Sequence, residues 1–349
     1  MLEALEASRK TRIPLYIVGP PGCAKSAVVN QYTEGIEYNI LKLDPPKTWD
    51  PIDARGIPAG VNGRTVWLPP DYMDTADKPT VIFIDEIGIL PPTSQAFLNG
   101  LLYGRELGGH PIPESAMVVA AGNRVSDGAA VNRMPSHTAT RIVHLLMTVD
   151  LDDVTKWWLE NGVATPIIAY HRFTGGSKLY PMYNSDLSPM TCGLCGKTKL
   201  EAGELCSHCL RAQPTFPNLR TWHYASDMLQ QNLSPAIELD VLSGCIGQPS
   251  ALELKGYLDL YRALPSLDVV LMAPRTAPVP ENMAALYAIA TALGRRATDT
   301  NMDAVVQYID RLPPEFAVLC MKDTGSRDKS LLDTRAAMSW MARNNDVMF

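Results

Sequence analysis

Ile13-Pro14-Leu15-Tyr16-Ile17-Val18 runs directly into Gly19-Pro20-Pro21-Gly22-Cys23-Ala24-Lys25-Ser26, and this junction decides the fold. A short apolar run that stops at glycine is how a strand of a buried parallel sheet reads. The eight residues after it read as a complete phosphate loop of the pattern G-x-x-x-x-G-K-[ST]. In such a loop, glycines let main-chain N–H groups curl around an anion. The helix expected over 26–34 aims its positive end at that anion. On this reading Gly19, Pro20, Pro21, Gly22, Cys23 and Ala24 form the cradle. Lys25 reaches the β and γ oxygens of a bound triphosphate, and the Ser26 hydroxyl is a ligand for Mg²⁺. A chance Gly-rich turn would not account for the strand before the loop and the helix after it. Cys23 occupies a free position of the loop and reads as a small tolerated side chain rather than a redox sensor.

The pattern repeats outward from this junction. Residues 39–43 alternate as a second strand. Residues 44–71 are rich in Pro, Gly and Asp, with a strand-like piece at Arg64–Leu68. Residues 80–84 (TVIFI) form a buried strand ending in Asp85 and Glu86, and residues 116–121 (AMVVAA) form another, stopped by Gly122 and Asn123. Thr93 or Ser94 is placed to cap a helix with Phe97, Leu98, Leu101 and Leu102 on its apolar face. Residues 104–115 read as a hairpin or loop. Strands alternating with helices imply an α/β fold, a parallel sheet covered on both faces. Ligands of such sheets bind at the carboxyl ends of the strands, where Asp85, Glu86 and Asn123 fall. Asp85 there can hold Mg²⁺ through water, and Glu86 can orient or deprotonate an attacking water. Asn123 reads equally as a water-positioning amide or as a turn residue.

The chain has 349 residues, 46% hydrophobic and 19% charged, with a net charge of −6. That length suggests two or three domains with material for a core. The acidic balance speaks against a generally basic surface for nucleic acid. The first residues show no signal-peptide pattern, and no apolar run of about 18 residues appears, so no membrane span is expected. Seven cysteines without a secretion signal fit a reducing, cytoplasmic compartment. Residues 151–173 and 218–264 read as helices, as do 281–349 with a Pro-containing break at 313–314. Of Trp157-Trp158, one is expected in the core and the other at an interface.

At the level of motifs the sequence resembles the AAA+ superfamily and, within it, the MoxR-like branch related to dynein. The resemblance rests on GPPGCAKS, VIFIDE, AAGNR, His137-Thr138-Ala139-Thr140-Arg141-Ile142 and Asn218-Leu219-Arg220-Thr221-Trp222. It extends to Asp53-Ala54-Arg55-Gly56-Ile57-Pro58 and Leu312-Pro313-Pro314-Glu315-Phe316. It implies that Asn123 is the first sensor, that Arg141 is an arginine finger reaching the nucleotide of a neighbouring subunit, and that Arg220 is the second sensor. Arg133 competes for the finger, and Arg124 does so more weakly. Ile142 stands where the family has an aromatic, and Asn218-Leu219 where it has Ser-Pro. The resemblance further implies a ring, expected to be a hexamer, and a partner carrying a von Willebrand factor A domain. It also suggests that Gly104–Pro113 and Asp53–Pro70 are excursions near a central pore; ordinary surface loops are the other reading.

Cys192-Gly193-Leu194-Cys195 and Cys206-Ser207-His208-Cys209 form two C-x-x-C turns. Two such turns offer the four thiolates that a tetrahedral, structural Zn²⁺ prefers. Two disulfides, an Fe–S cluster or a redox pair are the alternatives. Disulfides conflict with a reducing compartment, and redox pairs do not normally come in twos.

The resulting expectation has three parts: an α/β nucleotide domain over 1–150, a helical lid over 151–265 with a zinc-ribbon-like insertion at 188–213, and a helical region over 266–349. Its cofactors are ATP, Mg²⁺ and Zn²⁺. Its expected work is ATP-driven remodelling of a protein partner. The rival is a nucleic-acid-dependent motor or loader that uses the zinc ribbon to touch DNA.

Overall fold

A computed structural model describes residues 1–43, 55–70, 79–90, 95, 98–124, 132–180, 190–191, 198–199 and 215–344. The chain divides into two compact units, Met1–Thr148 and Val149–Phe349.

The first unit is built on five strands: β1 (Leu15–Val18), β2 (Asn39–Leu43), β5 (Thr80–Ile84), β8 (Met117–Gly122) and β9 (Val143–Leu146). They lie in the order β2-β5-β8-β1-β9, every pair parallel. The alternation of each strand splits its side chains between two cores. Leu15, Ile17, Val81, Phe83, Met117, Val119 and Ala121 face one side, where they meet Leu5 of helix α1 (Leu2–Thr11) and Val29 and Tyr32 of α2 (Lys25–Gly35). Tyr16, Ile82, Ile84, Val118 and Ala120 face the other, against Ile87, Leu98, Leu101, Leu102, Leu107 and Ile112. Fully burying one such large side chain stabilises by about 1.5–3 kcal/mol, which is why the central strands of a sheet covered on both faces are almost wholly apolar.

The sequence assigned no element to residues 2–11, where α1 forms. The helix expected around Phe97 is only partly visible, since Thr93, Ser94 and Phe97 lie outside the described residues. Gly100–Gly104 is a single π turn, with Leu101 and Leu102 buried.

Two hairpins rise from the sheet connections. β3 (Ile57–Val61) pairs with β4 (Arg64–Leu68), and β6 (Glu106–Leu107) with β7 (His110–Pro111). Their two-residue tips, Asn62-Gly63 and Gly108-Gly109, all have positive φ, as a type I′ turn requires. The His110 ring nitrogen Nε2 lies 3.0 Å from the Arg55 carbonyl oxygen, tying the second hairpin to the foot of the first. Asp53 and Ala54 lie outside the described residues. The first unit closes with α3 (Ser136–Ala139) and β9.

The second unit is helical. It comprises α4 (Leu151–Glu160), α5 (Thr165–Phe173), α6 (Leu219–Leu229), α7 (Pro235–Ile246), α8 (Gln248–Arg262), α9 (Leu267–Met272), α10 (Met283–Arg296), α11 (Met302–Ile309), α12 (Pro314–Arg327) and α13 (Arg335–Arg343). A small antiparallel pair, β10 (Met190–Thr191) and β11 (Thr198–Lys199), lies between α5 and α6 in the sequence. The Asp150 carboxylate accepts from the N–H groups of Asp152 and Asp153 and so starts α4. Asn218 starts α6 by a reciprocal capping box with Thr221. One core gathers Trp158, Ile167, Ile168, Trp222, Leu242 and Leu254; the other gathers Ile289, Leu293, Val305, Ile309, Phe316 and Trp340. Helix α10 contributes to both, Ala284 and Ala288 to the first and Leu286, Ile289 and Leu293 to the second, which is why it is apolar nearly all round. Trp158 is fully buried and Trp157 is 43% exposed. Among the described residues, no helix is long and apolar enough to cross a membrane.

Candidate nucleotide site

Three strand ends meet at one edge of the first unit. The sheet order places β8 between β1 and β5, so Asn123, one residue past β8, falls between the loop that follows β1 and the acids that follow β5. The Gly19 N–H donates to the Gly122 carbonyl at 3.2 Å, and the Met147 N–H to the Val18 carbonyl at 2.7 Å. These bonds fasten the start of the loop to both neighbours of β1.

One position of the loop departs from the pattern read in the sequence. Ala24, not glycine, stands immediately before Lys25, so the match to G-x-x-x-x-G-K-[ST] is incomplete. Ala24 nevertheless takes the left-handed backbone (φ 71°, ψ 22°) that a glycine there would supply, and Gly22 is also at φ 71°. Left-handed backbone at a residue with a Cβ costs about 1 kcal/mol or more and persists only when its surroundings hold it. Here α2 begins at the next residue. The Cys23 side chain is 1% exposed. Its Sγ lies 3.0 Å from where a Cβ on Gly19 would sit.

Lys25 is 6% exposed, and its ammonium has an acceptor for each of its three protons. Nζ donates to the carbonyls of Gly19 and Pro20, both at 3.0 Å, and to Asn123 Oδ1 at 2.8 Å. The other end of the same amide, Asn123 Nδ2, donates to Glu86 Oε2 at 3.0 Å. Glu86, like Ala24, takes left-handed backbone (φ 56°), at the turn where β5 gives way to a short 3₁₀ segment, Ile87–Ile89. Ser26 Oγ donates to Asp85 Oδ2 at 2.8 Å. A hydroxyl beside a carboxylate is the hard-oxygen donor set that Mg²⁺ takes, with room for phosphate and water as further ligands. These two residues therefore fit the expected metal. The left-handed turn at Gly22 and Ala24 ahead of a helix start likewise fits a phosphate.

Two further residues shape this network, and the sequence reading missed both. Lys42 Nζ, from β2, lies 3.0 Å from Asp85 Oδ2. Tyr16 lies under the Asn123 turn. A Cβ on Gly122 would sit 2.6 Å from its hydroxyl, so any side chain there would have to push the Tyr16 ring aside. Burial, helped by the charge of Glu86, pushes the Tyr16 phenol up to about 12. The glycine after AMVVAA was the available signal for Tyr16. Nothing local marked Lys42, whose partner is set by strand order.

Arg141 and Arg133 are exposed, and the Arg141 guanidinium lies 5.0 Å over the ring of Tyr103. Arg124, next to Asn123, is half-buried. Arg220 is exposed on the first turn of α6, in the second unit. Cys192, Cys195, Cys206 and Cys209 lie outside the described residues. Among the described residues, no group of three or more His, Cys, Asp or Glu is placed to hold a metal.

Residues 14–142 match the family model described as AAA domain (dynein-related subfamily). The likeness to an AAA domain is carried by these residues, less than half of the chain. The sequence expectation of an α/β fold with a parallel sheet thus holds. Among solved structures, the chain is similar to NtrX from Brucella abortus, with a TM-score of 0.37 and 11% identity over 99% of this chain and 67% of that one. It is also similar to the RuvB Holliday junction branch migration motor of Thermotoga maritima, with a TM-score of 0.37 and 16% identity over 84% and 79%. Comparison with curated proteins returns no match.

Proposed function

We propose that this AAA+ chain is a MoxR-like remodelling factor that works as a ring of six, turning ATP hydrolysis into movement of a protein partner. One observation carries the reading of its chemistry. A single amide, Asn123, joins the phosphate-loop lysine to the acid after β5, while Ser26 joins Asp85. A bound triphosphate offers oxygens to replace the carbonyls that Lys25 now holds, and the loop N–H groups grip it further. Ser26 directly, and Asp85 through water, would hold Mg²⁺, whose part is to neutralise phosphate charge. Glu86, fixed by Asn123, orients the attacking water and accepts its proton. Asn123 thereby senses whether Lys25 is engaged by phosphate.

Arg141 as the finger and Arg220 as the second sensor each bring a planar cation to the charge that spreads over the transferred phosphoryl group. The exposure of Arg141 suits a residue that acts on a neighbouring subunit. In the second unit the helices over 151–265 serve as the lid, and those over 266–349 as a separate helical region. The four cysteines hold a structural zinc within the insertion at 188–213. The antiparallel pair β10–β11 supports this, because the segment joining its strands contains Cys192 and Cys195. A protein with a von Willebrand factor A domain is the proposed partner, and the cytoplasm the proposed compartment.

The test is steady-state ATPase turnover of Glu86→Gln against the parent chain, with and without DNA. Turnover should fall by about 100-fold or more, as loss of a general base does. Binding of a fluorescent ATP analogue should persist. Unchanged turnover would remove Glu86 from the mechanism. Strong stimulation of the parent chain by DNA would favour the nucleic-acid motor instead.

A further inference from the structure

Asp85 Oδ2 serves two donors at once: the Ser26 hydroxyl at 2.8 Å and the Lys42 ammonium at 3.0 Å. Ser26 and Asp85 are the pair that fits Mg²⁺, so a protein cation already rests on the carboxylate that the metal needs. The two side chains differ sharply in exposure, Asp85 at 13% and Lys42 at 48%. A carboxylate that is largely out of water must keep a counter-charge. A half-exposed ammonium on a four-carbon stem can leave for solvent at little cost. Asp85 is therefore fixed, and its cation can be exchanged.

We propose that Lys42 is the resident counter-ion of Asp85, which Mg²⁺ displaces when it arrives with nucleotide, so that Lys42 sets the free Mg²⁺ concentration the site requires. The proposal rests on the reading of Ser26 and Asp85 as the Mg²⁺ pair. A dication held beside this carboxylate through water brings its two charges close to the ammonium and repels it, so Lys42 gives way when the metal loads. Lys42 holds the acid in place before loading and keeps a lone Asp85 charge from facing the incoming triphosphate. It is a positioning residue that acts through Asp85. Its place follows from β2 being the edge strand beside β5, with Lys42 in register with Phe83, two residues before Asp85.

The experiment compares the parent chain with Lys42→Met, which keeps the length of the stem and removes the charge, and with Lys42→Arg. Binding of a fluorescent ATP analogue is followed at constant ionic strength, from excess EDTA through rising Mg²⁺. For Lys42→Met the Mg²⁺ midpoint should fall by about three- to fivefold, the worth of a partly exposed ion pair, while binding in EDTA weakens. Lys42→Arg should stay within about twofold of the parent at both ends, because the charge is kept. A purely structural role would weaken binding in both regimes. A Lys42→Met midpoint that is unchanged or raised, in a chain that binds nucleotide normally with saturating Mg²⁺, overturns the proposal. A parent chain that binds no nucleotide with or without Mg²⁺ overturns the nucleotide site itself, and this inference with it.

Discussion

Asn123 is the joint of the site, and two substitutions divide its two bonds. Its side chain is 9% exposed, accepts from Lys25 at 2.8 Å and donates to Glu86 at 3.0 Å. Asn123→Ala removes both bonds and leaves one proton of the buried Lys25 ammonium without an acceptor. A hydrogen bond to a charged group is worth about 1.5–3 kcal/mol, so the first unit should lose about that much stability. Asn123→Asp keeps an acceptor for Lys25 but turns a carboxylate oxygen toward Glu86 Oε2. Two charges about 3 Å apart repel by about 5 kcal/mol at an effective dielectric of about 20. The pair escapes most of this by taking up a proton or rotating apart, and either escape spoils Glu86 as a base. Turnover of Asn123→Asp should therefore fall by about 100-fold or more, equivalent to about 2.7 kcal/mol. Its melting temperature should stay above that of Asn123→Ala. The assays are steady-state ATP hydrolysis and thermal melting of the two variants side by side. An Asn123→Asp chain that keeps its fold and hydrolyses ATP within about threefold of the parent would refute the coupling of Lys25, Asn123 and Glu86.

His171 is fully buried among Trp158, Tyr170 and Trp222, and neither ring nitrogen has a hydrogen-bond partner among the described residues. Burial pushes its pKa down to about 3. The fold therefore holds the ring neutral, while the unfolded chain protonates it near 6.5. Its contribution is intact above about pH 6.5 and is lost as pH falls toward 3, by about 1.4 kcal/mol per pH unit. Melting curves between pH 7 and 5 should show His171→Phe losing less stability than the parent; parallel curves would count against it. For the cysteine cluster, elemental analysis of protein purified without chelator should find one zinc per chain, lost in Cys192→Ser and in Cys206→Ser. A metal-free parent chain would end the zinc reading.

Sequence periodicity located much of the first unit because its signals are local. β2 and β4 fall where alternation and the strand-like piece at 64–68 place them; β5 falls on its apolar run and β1 and β8 within two residues of theirs, since a strand buried on both faces, as β5 and β8 are, must be apolar along its length. The phosphate loop was legible as well, apart from the glycine that proved to be Ala24. α1 was missed because a ten-residue helix that buries only Leu5 and Ser8 leaves a weak pattern. For His171 the sequence leaves a polar or a core role open. Its aromatic surroundings come from α4 and α6, which side-chain spacing along α5 cannot report.

By itself, then, the chain's order of residues marked most strands of the sheet, the turn proposed to cradle an anion and the acids that end a strand, because each depends on neighbours a few residues away. Only the tertiary structure decided that β8 lies between β1 and β5 and that β2 flanks β5. Strand order is a matter of hydrogen bonds between segments far apart in sequence. It is that order which brings Asn123 between Lys25 and Glu86 and lays Lys42 against Asp85.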